Sequence, residues 1–388
     1  MRMLVAGGGT GGHVFPGIAL AEEVVGRHPG NDVVFVGTAR GLEATVVPQA
    51  GFPIELIEVK GLKGKGILAA LLNLLLLPRA FFQSWRILRR WRPDVVVGVG
   101  GYASGPLVLT AWLMHVPTAV QEQNAVAGFT NRVLGRFAQA AFTAFPEAAR
   151  HFAARKVYQL GNPIRRTLME NFMRPETPHD KPKVLVFGGS QGAHALNMRV
   201  IEALPHLADL RDRIRFTHQT GARDREQVER GYRAVGFEPD VREFITDMSA
   251  AYAETDLVVC RAGATTLAEL TVCRRPAILV PFPAAADNHQ VRNARSLVDA
   301  GAAVMIEERD LTGEFLASEI RAILSSTERR ERMKRAAGRL GSPQAAQEIA
   351  DVLSDLVRRR WGSPLGQLRG PSFQPVRPRG EAPETRTP

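Results

Sequence analysis

A ten-residue pattern near the start of the chain recurs in its second half, and this internal repeat constrains the fold more than any other feature. Residues 4–13 read LVAGGGTGGH and residues 185–194 read LVFGGSQGAH. Each copy is an apolar strand, a glycine-rich turn and the start of a helix, which opens a βαβ unit. A second pair, DVVVG at 94–98 and DLVVC at 256–260, follows the same plan. Two copies predict an α/β fold with two doubly wound, parallel-sheet domains that face a cleft.

The chain is expected to divide into two domains and a tail. Its 388 residues fit about two domains. The Gly-Asn-Pro turn at 161–163 is the predicted boundary between a first domain over 1–162 and a second over 163–357. We expect the last helix of the second domain to pack back on the first. Residues 358–388 contain six prolines and few apolar side chains, so they are predicted to be disordered.

Apolar runs and helical periodicity predict alternating strands and helices along both domains. The predicted strands include residues 33–36, 118–121, 215–219 and 277–280. The predicted helices lie at about 17–27, 126–138, 194–208, 265–273, 290–299 and 344–358. This alternation is typical of parallel sheets whose strands are joined by helices.

Four glycine-containing loops follow predicted strands, at 7–13, 100–105, 188–194 and 261–266. In an open parallel sheet such loops lie at the carboxyl ends of the strands, where ligands bind. Glycine lets the backbone approach a ligand, and a helix N-terminus offers free N–H groups to an anion. Any one loop could be a plain turn, but four at facing edges predict a cleft for a phosphate-bearing substrate.

The first loop has the spacing of a dinucleotide-binding fingerprint but lacks the acid that completes such a site. Gly7, Gly9 and Gly12 match G-x-G-x-x-G. A nicotinamide dinucleotide site also needs an acid at the end of the second strand, which here reads Phe-Val-Gly-Thr. The sequence also contains no phosphate loop of the G-x-x-x-x-G-K-[ST] type and no Asp-x-Asp metal motif. An NAD-dependent oxidoreductase is therefore disfavoured.

Two side chains next to these loops could carry chemistry. Glu269 lies in the first turns of a predicted helix whose N-terminus could hold a diphosphate, so its carboxylate could bind both ribose hydroxyls. Alternatively, Glu269 is a surface glutamate that complements the helix dipole. His13 begins the first helix and could be a general base near neutral pH, or a capping or packing residue.

The positive charge of the chain is concentrated in two segments. The net charge is +11, of which residues 60–92 supply eight basic and no acidic side chains and residues 358–388 supply +5. This distribution argues against general nucleic-acid binding. Residues 66–91 combine apolar and aromatic side chains with arginines, which is typical of a helix on an anionic lipid surface. A buried helix with a charged end is the alternative; we favour membrane contact because the eight charges have no local acids to pair with.

Cysteine usage and the apolar runs indicate a cytosolic protein without a membrane span. Cys260 and Cys273 form no C-x-x-C motif, so reduced thiols are expected rather than a disulfide framework. The N-terminus turns into glycines after four apolar residues, short of a secretory signal. The longest apolar run, 67–77, is too short to span a bilayer.

Several longer motifs, taken in order, resemble one family of enzymes. They are GGTGGHVFP at 8–16, GGYASGP at 100–106, EQN at 122–124, GNPIR at 161–165, GGSQGA at 188–193 and the stretch 261–269. Over residues 3–355 the chain resembles the peptidoglycan glycosyltransferases that transfer N-acetylglucosamine (GlcNAc) from UDP-GlcNAc to undecaprenyl-pyrophosphoryl-MurNAc-pentapeptide (lipid I), giving lipid II. The resemblance implies the GT-B fold, in which two Rossmann-like domains form an N-terminal acceptor domain and a C-terminal donor domain.

The resemblance also implies which residues bind the substrates. The expected set is Thr10, Gly11, Gly12, Asn124, Arg165, Ser190, Ile245, Ala264, Thr265, Thr266, Leu267, Ala268, Glu269 and Gln290. Asn124 and Gln290 would contact the GlcNAc, and Arg165 and Ser190 would lie near the diphosphate. His194 stands where the family commonly has an arginine, which would weaken one phosphate contact.

The remaining implied roles concern the nucleoside and the catalytic base. Ile245 would present its backbone to uracil, and Glu269 would hold the ribose. The family usually has a histidine before the Glu-Gln-Asn motif, but this chain has Gln121. His13 and Glu122 are therefore the candidate catalytic residues.

The resemblance implies inverting transfer of GlcNAc to the MurNAc 4-hydroxyl of lipid I, and with it a part in peptidoglycan synthesis, cell shape and cell division. No cofactor and no metal are expected. The expected partners are UDP-GlcNAc, lipid I, anionic inner-leaflet phospholipid and other cell-wall synthesis proteins, without nucleic acid, at the cytoplasmic face of the plasma (inner) membrane. Two alternatives stay open: a GT-B transferase acting on another lipid such as diacylglycerol, and a catalytically silent UDP-sugar-binding protein at the membrane surface.

Overall fold

The two halves of the chain fold into two parallel β-sheets. The computed structural model describes residues 1–59, 77–172, 180–189 and 192–361. Within these ranges the first sheet contains β1 (Arg2–Gly7), β2 (Asp32–Gly37), β3 (Ile54–Leu56), β4 (Val95–Gly100), β5 (Thr118–Glu122), β6 (Ala140–Thr143) and β7 (Val157–Gln159). The second sheet contains β8 (Lys183–Phe187), β9 (Arg215–Gln219), β10 (Asp240–Arg242), β11 (Leu257–Cys260), β12 (Ala277–Leu279) and β13 (Ala303–Met305).

Both sheets have the strand order of a doubly wound fold. The first runs β3-β2-β1-β4-β5-β6-β7 and the second runs β10-β9-β8-β11-β12-β13, with parallel pairing between all of these neighbours. The order reverses between β1 and β4 and between β8 and β11, and ligands bind at such switch points, outside the carboxyl ends of the strands. The predicted α/β fold of two Rossmann-like domains is confirmed. We call the part built on the first sheet the first lobe and the part built on the second sheet the second lobe.

Helices connect the strands in both lobes. In the first half of the chain they are α1 (Gly11–Arg27), α2 (Glu43–Gln49), α3 (Leu77–Trp91), α4 (Ser104–Leu113), α5 (Phe129–Leu134) and α6 (Pro146–Ala149). In the second half they are α7 (Arg166–Phe172), α8 (His194–Ala203), α9 (Arg225–Ala234), α10 (Met248–Ala253), α11 (Ala264–Val272), α12 (His289–Asp299), α13 (Gly313–Leu324), α14 (Thr327–Leu340) and α15 (Ala345–Trp361). Short 3-10 helices occupy Ala154–Lys156, Leu204–Leu210 and Ala286–Asn288.

The central strands are apolar along their whole length because both of their faces are buried. In β8, Val184 and Val186 pack into one core, whereas Leu185 and Phe187 pack into another. The side chains of β1 divide between two cores in the same way. Strands covered by helices on both sides read as continuous apolar runs. The loops at the ends of these strands are thus fixed to rigid supports.

The last helix of the chain, α15, lies against the first lobe. Ile349 and Leu353 pack into the same core as β1 and β4 side chains. Arg27 of α1 forms an ion pair with Asp351 at 2.6 Å and donates to the Gln347 carbonyl at 2.6 Å. α15 follows the second lobe in sequence but packs on the first lobe, so it links the two lobes.

Several helix boundaries differ from the prediction; the helix predicted at 126–138, for example, covers only Phe129–Leu134. The first helix begins at Gly11 and not near residue 17, because burial of Val14 against the sheet outweighs the poor helix propensity of the glycines and Pro16. The last helix continues to Trp361. Residues 358–361 therefore belong to it and not to the predicted tail, since arginines in a last turn complement the helix dipole.

Candidate active site between the lobes

A buried carboxylate shapes the first glycine loop. Glu43, at the start of α2, is 1% exposed. Its Oε2 accepts a hydrogen bond from the Gly9 N–H at 2.7 Å, and its Oε1 accepts from the N–H and hydroxyl of Thr38 at 2.9 and 3.0 Å. Glu43 is absent from the predicted set of site residues, because only the tertiary fold brings α2 to this loop.

The first two glycine loops touch through their backbones. The Gly8 N–H donates to the Gly100 carbonyl at 3.3 Å, and the Ser104 hydroxyl donates to the Ala6 carbonyl at 2.6 Å. Gly101 has a φ of +83°, and a Cβ atom there would overlap the backbone of Gly8. Only glycine fits such a contact. The two loops therefore form one continuous rim at the switch point of the first sheet.

His13 lies on this rim, with its ring packed beside Gly100. Its Nδ1 is 3.2 Å from the Gly8 carbonyl oxygen and 3.2 Å from the Thr10 hydroxyl. A carbonyl oxygen can only accept, so Nδ1 carries the proton of the neutral ring and Nε2 keeps a lone pair. Burial lowers the pKa of His13 below its usual value, and the nearby Glu122 carboxylate opposes part of this effect. A neutral imidazole in this state can take up a proton at Nε2.

Thr10, Gly11 and Gly12 form the N-terminus of α1. Thr10 is the residue before the helix, and no side chain caps the helix N-terminus. The N–H groups of Gly11 and Gly12 consequently lie without a capping side chain at the switch point of the first sheet. Free N–H groups at a helix start favour an anion. These three residues are placed where a phosphate or a developing negative charge could be bound.

Glu122 ends β5 and is 2% exposed. Its Oε1 accepts from the N–H and the side-chain amide of Asn124 at 3.0 and 3.3 Å. Its Oε2 accepts from the Gly128 N–H and the Asn131 amide, both at 2.9 Å. Four donors thus surround this carboxylate. The contacts order the loop that follows β5 and hold the Asn124 side chain in place.

The loop after β5 meets the second lobe at Asn293 of α12. The Asn293 Oδ1 accepts from the Ala125 N–H at 2.8 Å, and its Nδ2 donates to the Asn124 Oδ1 at 3.2 Å and to the Ala262 carbonyl at 3.4 Å. Ala262 lies just before α11, which begins at the end of β11. This contact brings predicted site residues of both lobes to one crevice. Asn293 itself is absent from the predicted set.

The start of α11 carries a block of predicted donor-binding residues. No side chain caps its N-terminus. Ala264 and Leu267 are 4% and 1% exposed, so only their backbone can face a ligand, whereas Thr265, Thr266 and Ala268 are partly exposed. The Thr265 hydroxyl oxygen is buried and has no hydrogen-bond partner among the residues that the structure describes. Because buried polar atoms are rarely left unpaired, the helix start is suited to a polar ligand.

Glu269 lies one turn further along α11 and is 9% exposed. Its Oε2 accepts from the Tyr252 hydroxyl at 3.0 Å, and its Oε1 lies 3.9 Å from Nη2 of Arg165. Burial raises the pKa of Glu269 to about 7, although Arg165 and the Tyr252 hydroxyl both act in the opposite direction. Arg165 also lies over the Phe15 ring of α1, 5.0 Å from its centroid, and its buried Nε has no hydrogen-bond partner within the described ranges. Arg165 therefore contacts both lobes.

Ile245 lies close to the third glycine loop. Its side chain is 1% exposed, so only its backbone can face a base. The Ile245 N–H donates to Gln219 Oε1 at 2.8 Å, and Gln219 Nε2 donates to the Gly189 carbonyl at 2.8 Å. Gln219 thereby ties the glycine loop to the Ile245 backbone. Ser190, in the same loop, lies outside the described residues.

Gln290 and Arg261 order the loops beside α11. Gln290 Oε1 accepts from the Ala262 N–H at 3.2 Å and the Phe282 N–H at 2.9 Å. Arg261 donates to two carbonyl oxygens after β12, each at 3.2 Å, and pairs with Glu308. Both side chains act on backbone groups around the helix start. Arg261 was not predicted, because a single arginine beside an ordinary loop gives no local signal.

The two departures from the family pattern have partners inside the protein. Gln121 is 1% exposed, and its Nε2 lies 3.3 Å from the Gly161 carbonyl. His194 Nδ1 lies 2.9 Å from Asp224 Oδ1, and Asp224 Oδ2 accepts from the Asn197 amide at 2.8 Å. Gln121 therefore contacts the turn that leaves the first lobe, and His194 is held by the second lobe beside the third glycine loop.

One face of α3 exposes aromatic and basic side chains together. We call this surface the aromatic–arginine face; it consists of Phe82, Trp85, Arg86, Arg89 and Arg90. Phe82 and Trp85 are 57% and 40% exposed and stack with their ring centroids 5.8 Å apart. The Arg89 guanidinium lies over the Trp85 ring, 5.2 Å from its centroid. Such a mixture of side chains is typical of contact with a lipid interface.

The expectation that the basic segment finds no acids is wrong for two of its arginines. Arg79 pairs with Glu58 at 2.7 Å, and Arg90 pairs with Glu55. Both glutamates precede the segment and reach it through the tertiary fold. Residues 60–76, which include the three lysines of the segment, lie outside the described residues. Among the helices that the structure describes, none has the length and apolar character needed to cross a bilayer.

Two Rossmann-like lobes that meet beside the glycine loops after β1, β4 and β11 have the architecture of the GT-B class of glycosyltransferases. The chain belongs to glycosyltransferase family 28: residues 3–143 match the N-terminal domain of that family, and residues 183–351 match its C-terminal domain.

Two relatives of high identity carry the same name. The UDP-N-acetylglucosamine--N-acetylmuramyl-(pentapeptide) pyrophosphoryl-undecaprenol N-acetylglucosamine transferase of Anaeromyxobacter dehalogenans is 85% identical over 97% of this chain and 99% of its own length. The transferase of the same name from Myxococcus xanthus is 60% identical over 96% of this chain and 97% of its own. The crystal structure of Acinetobacter baumannii MurG covers 91% of this chain and 99% of its own, with 32% identity and a TM-score of 0.74. The resemblance found in the sequence motifs is confirmed.

Proposed function

We propose that this chain transfers GlcNAc from UDP-GlcNAc to lipid I and thereby forms lipid II. The observation that carries the proposal is the similarity to transferases of that name over nearly the whole chain, which includes both lobes and the crevice between them. A diacylglycerol acceptor and a silent UDP-sugar-binding protein have no comparable support.

His13 is the catalytic base in this proposal. The 4-hydroxyl of MurNAc attacks the anomeric carbon of GlcNAc, and its proton passes to His13 Nε2. The hydrogen bond from Nδ1 to the Gly8 carbonyl fixes the ring for this role. Glu122 is a positioning residue here. Its two carboxylate oxygens already accept four hydrogen bonds, so it acts on His13 through its negative charge and not by taking the proton itself. That charge stabilises the imidazolium which forms during the reaction.

UDP leaves from the face opposite the attacking hydroxyl and takes the electron pair of the broken C–O bond, so the anomeric configuration inverts. The negative charge that develops on the diphosphate is stabilised by the N–H groups at the start of α11 and by Arg165. The buried Thr265 hydroxyl and the Arg165 Nε, both without partners in the described structure, support this placement. Glu269 binds the ribose, and the Ile245 backbone binds uracil.

The transfer assay uses the full-length purified chain with labelled UDP-GlcNAc and lipid I. We expect labelled lipid II with inverted configuration at the anomeric carbon of the transferred sugar. Diacylglycerol serves as the control acceptor. Turnover on diacylglycerol alone would overturn the lipid I assignment, and donor binding without turnover on either lipid would favour the silent protein.

The place of action that we propose is the cytoplasmic face of the plasma membrane, where the chain would bind peripherally to anionic phospholipid. The aromatic–arginine face supports this proposal, because exposed aromatic rings and guanidinium groups share one side of α3. Lipid I is itself embedded in a membrane, so a transferase that uses it must reach the lipid surface. A part in cell shape and division, and contacts with other cell-wall proteins, would follow from the same placement.

Replacing Phe82 and Trp85 together by serine is expected to weaken binding to vesicles of phosphatidylethanolamine and phosphatidylglycerol. Full burial of such a ring contributes about 1.5–3 kcal/mol. Because Phe82 and Trp85 are only about half exposed, the two together should contribute about half of twice that range, so the partition coefficient should fall by about tenfold to a hundredfold. Vesicle sedimentation measures this coefficient. The control is Phe244→Ser, which removes an exposed ring of the second lobe that is 53% exposed. Equal binding by the double variant and the wild type would contradict membrane docking through α3.

A further inference from the structure

One polar contact between the two lobes is made by a fully buried amide. Asn293 is 0% exposed. Its side chain accepts from the Ala125 N–H at 2.8 Å in the first lobe and donates to the Ala262 carbonyl at 3.4 Å in the second. A buried amide is costly unless its hydrogen bonds are made. The bond to Ala262 lies within the second lobe, whereas the bond from Ala125 forms only when the two lobes are in contact.

The same amide fixes the orientation of Asn124. The Asn293 Nδ2 donates to Asn124 Oδ1 at 3.2 Å, while Asn124 Nδ2 donates to Glu122 Oε1 at 3.3 Å. One end of the Asn124 amide is thus held by its own lobe and the other by the opposite lobe. Its orientation is determined fully only when both partners are present.

The helix that carries Asn293 also carries a residue of the donor site. Gln290 stands three positions earlier on α12, which places both side chains on one face of the helix. Gln290 Oε1 accepts from the N–H groups of Ala262 and Phe282. A shift of α12 on donor binding would therefore reach Asn293, and through it Asn124.

We infer that Asn293 is a positioning residue that couples the donor lobe to the acceptor lobe, so that Asn124 is oriented for transfer when the lobes close. The inference rests on the proposed function and adds to it a residue that touches neither the reacting hydroxyl nor the diphosphate. Asn293 acts on the transfer step through Asn124 and the Ala125 backbone. UDP-GlcNAc binding depends mainly on the second-lobe groups that hold uracil, ribose and diphosphate, so the loss of Asn293 should affect it far less than the transfer step.

The test is the Asn293→Ala variant, with Asn293→Asp as its close isostere. The aspartate keeps an acceptor for Ala125 but sets a carboxylate oxygen against Asn124 Oδ1 and the Ala262 carbonyl. Because each variant loses buried hydrogen bonds to Asn124 and Ala262, we expect its kcat to be about tenfold to a hundredfold lower than that of the wild type. The Kd for UDP-GlcNAc, measured by titration calorimetry, is expected to rise by no more than about threefold in both variants, because only the Asn124 contact with GlcNAc depends on Asn293. On an Asn124→Ala background, Asn293→Ala should cost less than it does alone.

Ser296→Ala is the matched control, because Ser296 is a partly exposed residue of the same helix whose hydroxyl donates to the Arg292 carbonyl within α12. If the alanine variant does not fold, the aspartate variant decides the test. Wild-type kcat in a folded variant would overturn the inference, as would a loss that appears only as weaker donor binding. A wild-type chain that binds UDP-GlcNAc without forming lipid II overturns the proposed function instead.

Discussion

Replacing His13 by alanine is expected to lower kcat by about a hundredfold to ten-thousandfold, the range that general-base catalysis supplies. The Nε2 lone pair of His13 is the proton acceptor in the proposed reaction, and the Gly8 carbonyl holds the ring in the required tautomer. The Kd for UDP-GlcNAc should change little, since the donor groups lie mainly on the second lobe. Steady-state kinetics with lipid I, together with donor titration, separates the two effects.

The pH dependence of the wild type gives a second measure of the same role. His13 accepts a proton only when it is neutral, and burial lowers its pKa below the usual value near 6.5. Activity should therefore be fully present at neutral pH and should fall as the pH drops through this lowered pKa. The residual activity of His13→Ala should lack this acidic limb.

His206→Ala is the control for this variant, because His206 is an exposed histidine of the second lobe, remote from the crevice. It should keep the wild-type kcat and the same acidic limb. A His13→Ala variant with near wild-type kcat and an unchanged pH profile would remove His13 from the reaction and leave the base unidentified.

The fold was readable from the sequence because its signal is local and occurs twice. Each copy of the repeat contains a strand, a glycine turn and a helix start in ten consecutive residues, and the two copies became β1 with α1 and β8 with α8. The start of α1 was misplaced because Pro16 and two glycines weaken the helical pattern. In the folded chain the sheet beneath supplies the stability that the local propensity lacks.

The groups that arrange the site were much harder to predict. Asn293 and its partner Ala125 are 168 positions apart, and Glu43 and Gly9 are 34 apart. An asparagine on a helix, or a glutamate at a helix start, gives no signal of its partner in sequence. Likewise, Glu55 and Glu58 reach the basic segment only because β3 lies beside α3. Family motifs indicate which residues are expected to face the substrates, whereas the residues that support them are visible only in the tertiary contacts.

Replacing Glu269 by alanine is expected to weaken UDP-GlcNAc binding by about a hundredfold or more. Its carboxylate would bind both ribose hydroxyls, and hydrogen bonds to a charged group contribute about 1.5–3 kcal/mol each. The kcat at saturating donor should fall much less, because the carboxylate is assigned to the ribose and not to the reacting carbon. Titration with UDP-GlcNAc and with UDP measures the loss, and unchanged donor affinity would contradict the assignment. Glu238→Gln, at an exposed glutamate of the second lobe, is the control.

Because Glu269 is buried, its ionisation should change the stability of the fold, whereas the ionisation of a surface glutamate would not. Burial raises its pKa to about 7 from an ordinary value of 4.5, so the folded chain keeps a proton that the unfolded chain releases. The contribution of this proton to the free energy of unfolding is fully present below about pH 4.5 and is lost as the pH rises through about 7. Above that pH the buried, ionised carboxylate lowers the free energy of unfolding by up to about 3 kcal/mol. Glu269→Gln should therefore change the Tm little at about pH 5 and raise it by a few degrees at about pH 8. Thermal unfolding without ligand measures this difference in Tm between the variant and the wild type. If the difference is the same at both pH values, the carboxylate is solvated and not buried beside the ribose site.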